Sequence, residues 1–123
     1  MNTQSPIVYV VDDDKSVRKA LQRLLRAAGF RVQIFASGEA FCAHLDSLEP
    51  GCLILDIGVP GETGHDVRMR LAERRTGWPI IAISASDHDA TRERALQLGA
   101  GAFFTKPVDG QALIDAIRWT LTR

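Results

Sequence analysis

Short apolar runs alternate with helix-like stretches along this chain of 123 residues, and the alternation limits the folds that the chain can adopt. Each run is long enough for one strand, and several are apolar throughout, as is typical of strands covered on both faces. The runs cover residues 7–11, 31–35, 52–55, 79–83 and 102–104. The pattern therefore predicts five strand-helix units in succession.

The stretches between the runs show the three- and four-residue spacing of amphipathic helices. The first helix, over residues 15–28, places Leu21 and Leu25 opposite a basic face; Asp14 or Ser16 can cap its start, and Gly29 suits the position past its end. The second helix begins after Ser37, the fourth covers about 89–98, and the fifth follows Asp109. The predicted core positions of the last four helices are Phe41, Leu45, Leu48, Val67, Leu71, Ala95, Leu98, Leu113, Ile114, Ile117 and Leu121.

Five such units with short connections predict an α/β fold, because right-handed crossovers place helices on both faces of a parallel sheet. We expect a doubly wound (βα)5 three-layer sandwich. The length fits one domain over residues 1–123. Ligands of such sheets bind beyond the carboxyl ends of the strands, where the strand order reverses.

The charge balance excludes several classes of partner. Fifteen basic and fifteen acidic residues give a formal net charge of zero, so we expect no direct nucleic acid binding and no membrane binding by an overall field. Uncharged stretches such as 76–86 are well short of the ~20 apolar residues of a membrane span. No secretory signal precedes the first run, so a cytoplasmic location is expected, with Cys42 and Cys52 reduced.

Polar side chains stand at the ends of four of the five runs. Asp12, Asp13 and Asp14 follow the first run, Asp56 the third, Ser84 the fourth and Lys106 the fifth. Clustered carboxylates repel one another and suit a hard cation such as Mg²⁺. A lysine and a hydroxyl add donors for the oxygens of a phosphoryl group, which an aspartate can accept as an acyl phosphate.

These residues and their spacing resemble the receiver domains of two-component response regulators over essentially the whole chain. The resemblance rests on Val11-Asp12-Asp13, on Leu53-Ile54-Leu55-Asp56 followed by Pro60 and Gly64, on Ile83-Ser84-Ala85, and on Lys106-Pro107. Each piece alone is weak, whereas all of them in this order and at this spacing are specific. The opening strand is most similar to receivers of the nitrogen-fixation regulator type, which usually carry a DNA-binding domain; we expect a stand-alone or an excised receiver.

The resemblance implies a flavodoxin-like parallel sheet with strand order 2-1-3-4-5. It also implies a role for each site residue. Asp56 is the expected phosphoacceptor, Asp12 and Asp13 hold Mg²⁺, Ser84 is the switch hydroxyl and Lys106 binds the phosphoryl group. Phe103 matches the aromatic switch position. The Gly58 backbone carbonyl is a further expected metal ligand, and a cis peptide bond is expected before Pro107.

The function implied by the resemblance is a signalling switch rather than an enzyme with an external substrate. A sensor histidine kinase would donate the phosphoryl group from a phosphohistidine to Asp56. The face formed by the fourth helix, fifth strand and fifth helix would then change, with a possible homodimer on phosphorylation. Because Gly58 and Ser86 are small, they would shield the acyl phosphate poorly from water, which predicts a short-lived phosphorylated state.

Two other functions stay open at this point. A receiver-like binding module could work without phosphate. A small Mg²⁺-dependent aspartyl phosphohydrolase of the haloacid-dehalogenase type would use an Asp-x-Asp run after the first strand, which Asp12 and Asp14 match in part. Taken alone, residues 12–14 could also be a solvated turn with a helix cap.

Overall fold

The five strands form one parallel sheet. A computed structural model describes residues 5–58, 63–73 and 77–122. Within them the order is β2-β1-β3-β4-β5, so the predicted flavodoxin-like fold and its strand order are confirmed. Pro60 of the sequence motif lies outside the described residues. The strands are β1 (Ile7–Val11), β2 (Arg31–Phe35), β3 (Cys52–Asp56), β4 (Ile80–Ser84) and β5 (Ala102–Thr105).

Helices follow each of the five strands. They are α1 (Lys15–Ala27), α2 (Gly38–His44), α3 (Thr63–Ala72), α4 (Asp89–Leu98) and α5 (Gly110–Leu121), and α2 continues into a 3-10 turn over Leu45–Ser47. Asp14, rather than Ser16, caps α1: its carboxylate accepts from the backbone N–H groups of Ser16 and Val17. Gly29 has φ +99°, the left-handed backbone expected just past this helix.

Side chains that alternate along the strands build two cores, one on each face of the sheet. In β1, Tyr9 and Val11 pack on one face with α2, α3 and α4, whereas Val8 and Val10 pack on the other face with α1 and α5. All four are buried. The sheet is therefore covered on both sides, as its apolar strands predicted.

The boundaries differ from the prediction in small ways that have local causes. Strand β4 begins at Ile80 because Pro79 has no N–H to donate, although its carbonyl accepts from Leu53 N at 2.9 Å. Helix α1 ends one residue early, with Ala28 as its C-cap. Leu48 and Leu121 are only partly buried. The other core positions predicted for the last four helices are buried.

No helix in the described part of the chain is both long enough and apolar enough to cross a membrane.

Candidate functional site

The carboxyl edge of the sheet collects the polar residues that follow its strands. Asp56 ends β3 and pairs with Ile83 of β4, and Ser84 ends β4 and pairs with Thr105 of β5. Asp12 directly follows β1, whose partners β2 and β3 lie on opposite sides, so the strand order reverses here. This is the position at which doubly wound sheets bind their ligands.

Lys106 joins two of these carboxylates. Its Nζ lies 2.8 Å from Asp12 Oδ2 and 3.1 Å from Asp56 Oδ2. The lysine side chain is 18% exposed, and those of Asp12 and Asp56 are 0% and 7% exposed. One ammonium group therefore faces two carboxylates in a site that is largely withdrawn from water, which leaves a local excess of negative charge.

Burial and charge shift the pKa values of this group in definite directions. Desolvation raises the pKa of Asp12, the nearby Asp56 carboxylate adds to the rise, and Lys106 opposes it. Desolvation alone would lower the pKa of Lys106, but its contacts with Asp12 and Asp56 outweigh that effect, so the net shift is upward. Lys106 therefore stays protonated at neutral pH.

Asp12, Asp13 and Asp56 form an acidic cluster that fits a hard cation. Each offers one carboxylate oxygen, and these oxygens all lie within 4.8 Å of one another. Asp12 Oδ2 is buried and, within the described residues, accepts no hydrogen bond of regular geometry; its contact with Lys106 is an ion pair. Oxygen donors of this type are the ligands that Mg²⁺ prefers, so the cluster fits the cation that the resemblance predicts.

Two contacts from the start of α1 fix Asp12. Its Oδ1 accepts from the backbone N–H of Asp14 at 2.9 Å, and its backbone carbonyl accepts from Arg18 Nη1 at 2.8 Å. The acidic turn is thereby held by its own backbone and by one charged side chain. Asp13, by contrast, is exposed beside this turn.

Gly58 keeps a space open between the expected phosphoacceptor and the expected switch hydroxyl. Its N–H donates to Asp56 Oδ1 at 2.8 Å. A methyl group built on Gly58 would lie 3.0 Å from Ser84 Oγ and 3.1 Å from Asp56 Oδ1, closer than side-chain carbons normally approach. The two oxygens thus flank one small cleft that only glycine leaves empty.

Ser84 is fully buried and tied to the loop that follows it. Its Oγ accepts from Ser86 N at 3.0 Å, and its carbonyl accepts from Lys106 N at 2.8 Å. A hydroxyl that accepts such a bond can still donate its own proton. The peptide bond between Lys106 and Pro107 is cis, as the resemblance predicted.

Phe103 is partly buried on the side of β5 that faces α4, and the guanidinium group of Arg92 lies over its ring. The guanidinium carbon of Arg92 is 5.3 Å from the centre of its ring. The structure thus brings together Asp12, Asp13, Asp56, Gly58, Ser84 and Lys106 around one cleft and places Phe103 against α4. Their functional roles remain predictions.

Sequence reasoning missed three arginines near this site. Arg18 belongs to the basic face predicted for the first helix, and its side chain contacts the carbonyl of Asp12. Arg92 and Arg94, both on α4, contact Phe103 and the carbonyl of Ile57. Arg18 lies in the first turn of α1, only six residues after Asp12, and this proximity could have indicated its contact; nothing in the local pattern of α4 indicated the other two.

A comparison with known families settles what kind of domain this is. The response regulator receiver domain matches residues 8–118. The chain belongs to this family. Receiver domains are signalling domains of two-component systems, not conventional enzymes, so the resemblance seen in the sequence is confirmed at this level.

Individual relatives agree with the family assignment. The response regulator protein TmoT of Ectopseudomonas mendocina is 43% identical over 121 residues, which are 98% of this chain and 55% of TmoT. The crystal structure of a response regulator receiver protein from Burkholderia phymatum has 40% identity and a TM-score of 0.80, with 92% of each chain covered.

Full-length FixJ from B. japonicum is a third relative, with 31% identity and a TM-score of 0.85 over 98% of this chain and 59% of FixJ. This match confirms the similarity to regulators of that type that the opening strand predicted. The chain spans about half the length of the curated relatives that it matches.

Proposed function

We propose that this receiver domain is a phosphorylation-controlled switch that accepts a phosphoryl group on Asp56 from the phosphohistidine of a sensor histidine kinase. The observation that carries the proposal is the position of Lys106 Nζ, 2.8 Å from Asp12 and 3.1 Å from Asp56. A fixed ammonium group beside the acceptor carboxylate offsets the charge of an incoming phosphoryl group.

In the proposed transfer, a carboxylate oxygen of Asp56 attacks phosphorus in line with the phosphorus–nitrogen bond of the phosphohistidine. An oxygen–phosphorus bond forms, the phosphorus–nitrogen bond breaks, and its electron pair returns to the imidazole nitrogen. The product is an aspartyl phosphate and a neutral histidine, provided that the other ring nitrogen of the phosphohistidine carries a proton, and no oxidant is needed. Alignment and charge neutralisation are what the protein must supply.

The residues around Asp56 supply both. Gly58 N–H fixes one carboxylate oxygen at 2.8 Å, and Lys106 faces the other at 3.1 Å. Because Gly58 has no side chain, nothing stands between Asp56 Oδ1 and the Ser84 hydroxyl, which can donate to a phosphoryl oxygen. Asp12, Asp13, Asp56 and the Gly58 carbonyl would hold Mg²⁺. When bound, the cation neutralises charge on the phosphoryl oxygens.

The switch follows from the same contacts. The backbone N–H of Ser86, in the loop after β4, donates to Ser84 Oγ at 3.0 Å. If the Ser84 hydroxyl turns towards the phosphoryl group, this loop moves with it. Phe103 would follow into the space that the loop vacates, and the surface of α4, β5 and α5 would change. A homodimer through this surface is one proposed consequence of phosphorylation.

The remaining parts of the proposal concern context. We place residues 1–123 in one receiver domain. We also propose a cytoplasmic location, because a histidine kinase uses ATP from the cytoplasm. No direct contact with nucleic acid or membrane is proposed, because the net charge is zero. The dehalogenase-type alternative is disfavoured by Asp14, whose carboxylate caps α1 through bonds of 2.8 and 3.2 Å.

The test is the intact mass of the protein after incubation with a small phosphodonor and Mg²⁺. One phosphoryl adduct is expected, and it should disappear with a chelator and in Asp56→Asn. Asp46→Asn, which changes an exposed aspartate in the turn after α2, is the matched control and should keep the adduct. Absence of an adduct in the wild type despite bound Mg²⁺ would favour a binding module that works without phosphate.

A further inference from the structure

Helix α4 contacts the backbone next to Asp56 through the side chain of Arg94. Arg94, which is partly buried, donates from Nη2 to the backbone carbonyl of Ile57. Ile57 directly follows Asp56, and its own N–H donates to the carbonyl of Ile83 in β4 at 2.9 Å. The backbone next to Asp56 is therefore held from two sides, by β4 and by α4.

The peptide group that Arg94 contacts is the same one that binds the acceptor carboxylate. Its carbonyl belongs to Ile57, and its N–H belongs to Gly58 and donates to Asp56 Oδ1 at 2.8 Å. Carbonyl and N–H are conjugated in one planar unit, so a cation on the oxygen polarises the N–H and strengthens its hydrogen bond. A continuous relay thus runs from the Arg94 guanidinium to the Asp56 carboxylate.

Other residues of α4 contact the predicted switch. Thr91 Oγ1 donates to Ser86 Oγ at 3.1 Å, in the loop that is bound to Ser84. Arg92 stacks over Phe103 at 5.3 Å. Since these contacts and the Arg94 relay start from one helix, a movement of α4 changes the acceptor loop and the switch residues together.

We infer that Arg94 is a positioning residue that transmits the position of α4 to Asp56 through the Ile57–Gly58 peptide. The inference rests on the proposed function of Asp56 as phosphoacceptor. Arg94 orients the carboxylate for phosphoryl uptake by fixing and polarising the Gly58 N–H.

The first test needs neither phosphodonor nor Mg²⁺. In Arg94→Met, which keeps the length of the stem and removes the donors, the amide proton resonance of Gly58 should move upfield as its hydrogen bond weakens. Arg23→Met removes the same charge from an exposed position on α1 and should leave that resonance in place. An unchanged Gly58 resonance in folded Arg94→Met would overturn the relay.

The second test measures the rate of phosphoryl uptake from a small phosphodonor. Arg94→Met should react about fivefold more slowly, the effect of weakening one hydrogen bond to a charged group. Arg94→Lys keeps the positive charge but lacks the planar guanidinium group, so it should recover part of the rate. The lysine variant also replaces Arg94→Met in this test if the methionine variant does not fold. Equal rates in the wild type and both Arg94 variants would overturn the positioning role.

The two tests separate the relay from the proposed function. If the wild type accepts no phosphoryl group, the proposed function fails, and the Gly58 resonance alone then supports or overturns the relay. If the wild type is phosphorylated and Arg94→Met matches it in both measurements, the function stands and the inference about Arg94 falls.

Discussion

Lys106 Nζ lies 3.1 Å from Asp56 Oδ2, although the two residues are fifty positions apart in the chain. The contact exists because β3 and β5 end at the same edge of the sheet, with β4 between them. It places a lasting positive charge beside the proposed acceptor, since the net pKa shift of Lys106 is upward.

Replacement of Lys106 by Met should therefore slow phosphoryl uptake by about 100-fold, the usual cost of losing one preorganised donor at a site of developing charge. The rate with a small phosphodonor at saturating Mg²⁺ measures this effect. Lys15→Met, at an exposed position at the start of α1, is the matched control. A Lys106→Met protein that reacts at the wild-type rate would show that Lys106 has no role in phosphoryl transfer.

Asp12→Asn should stabilise the protein in the absence of Mg²⁺. Burial raises the pKa of Asp12, so the folded state disfavours its charged form, and stability falls as pH rises from about 4 towards the folded pKa. At pH 7 the variant should melt about 4 °C higher, the shift that ~1 kcal/mol produces in a domain of this size.

The gain should disappear in acid, where Asp12 is protonated, and Mg²⁺ should no longer raise the melting temperature of the variant. Thermal melting at several pH values, with and without Mg²⁺, measures both effects. Asp46→Asn, which lies outside the acidic cluster, is the control. A lower melting temperature for Asp12→Asn at pH 7 would show that its ion pair with Lys106 outweighs the cost of burial.

Gly58→Ala should slow phosphoryl uptake by about tenfold while the fold is kept. The added methyl group would lie 3.0 Å from Ser84 Oγ and 3.1 Å from Asp56 Oδ1, so one of the two must move. Gly77→Ala is the control, because a methyl group there meets no atom within 4 Å. If both variants react equally fast, the cleft above Gly58 has no part in the reaction.

Ser86 is the better position for testing the lifetime of the phosphorylated state, because enlarging Gly58 disturbs Asp56 itself. Ser86→Asn adds bulk and keeps an oxygen that can accept from His88 N, as Ser86 Oγ does at 3.2 Å. We expect the acyl phosphate to be hydrolysed about threefold more slowly, through exclusion of water. Loss of the phosphoryl adduct over time, followed by intact mass, gives the rate; an unchanged half-life would refute the shielding idea.

Tyr9, the single tyrosine of the sequence, reports on the core through its titration. Burial, followed by the charge of Glu49, raises the pKa of Tyr9 to about 12, and its hydroxyl donates to the Glu49 carbonyl at 2.6 Å. The stability that this group contributes is complete below pH 10 and is lost as pH rises towards 12.

A near-ultraviolet titration should therefore show tyrosinate forming near pH 12 in the folded protein and near pH 10 in denaturant. Tyr9→Phe should remove this part of the alkaline loss of stability, at a cost of about 1 kcal/mol at neutral pH for the lost hydrogen bond. Titration of the folded protein near pH 10 would contradict the burial of Tyr9.

The sequence was sufficient to predict the fold and the residues that gather at the sheet edge, for a physical reason. Parallel strands end at one edge, so a polar residue after each apolar run is brought there whatever the details of packing. Asp12, Asp56, Ser84 and Lys106 were predictable in this way. The ends of the β-strands were less predictable. Pro79, for example, was predicted to begin β4 but lies outside it, because proline has no N–H to donate.

The contacts of Arg18, Arg92 and Arg94 were not predictable in the same way. Long, flexible side chains reach targets that depend on how helices sit against the sheet, and this is not encoded in the spacing along one helix. Arg94 contacts Ile57, thirty-seven residues away, across the interval between α4 and β3. The sequence of α4 does not distinguish Arg94 from its charged neighbours Arg92 and Glu93, which are exposed in the structure.

The most direct test of the proposed function is to locate the phosphoryl group after reaction with a small phosphodonor and Mg²⁺. Borohydride reduces an aspartyl phosphate to homoserine, so peptide mass mapping of the reduced protein identifies the acceptor. Homoserine at position 56, and at no other aspartate, is the predicted result. Homoserine at position 12 or 13, or a phosphoryl group retained on a histidine, would contradict the assignment of Asp56 as phosphoacceptor.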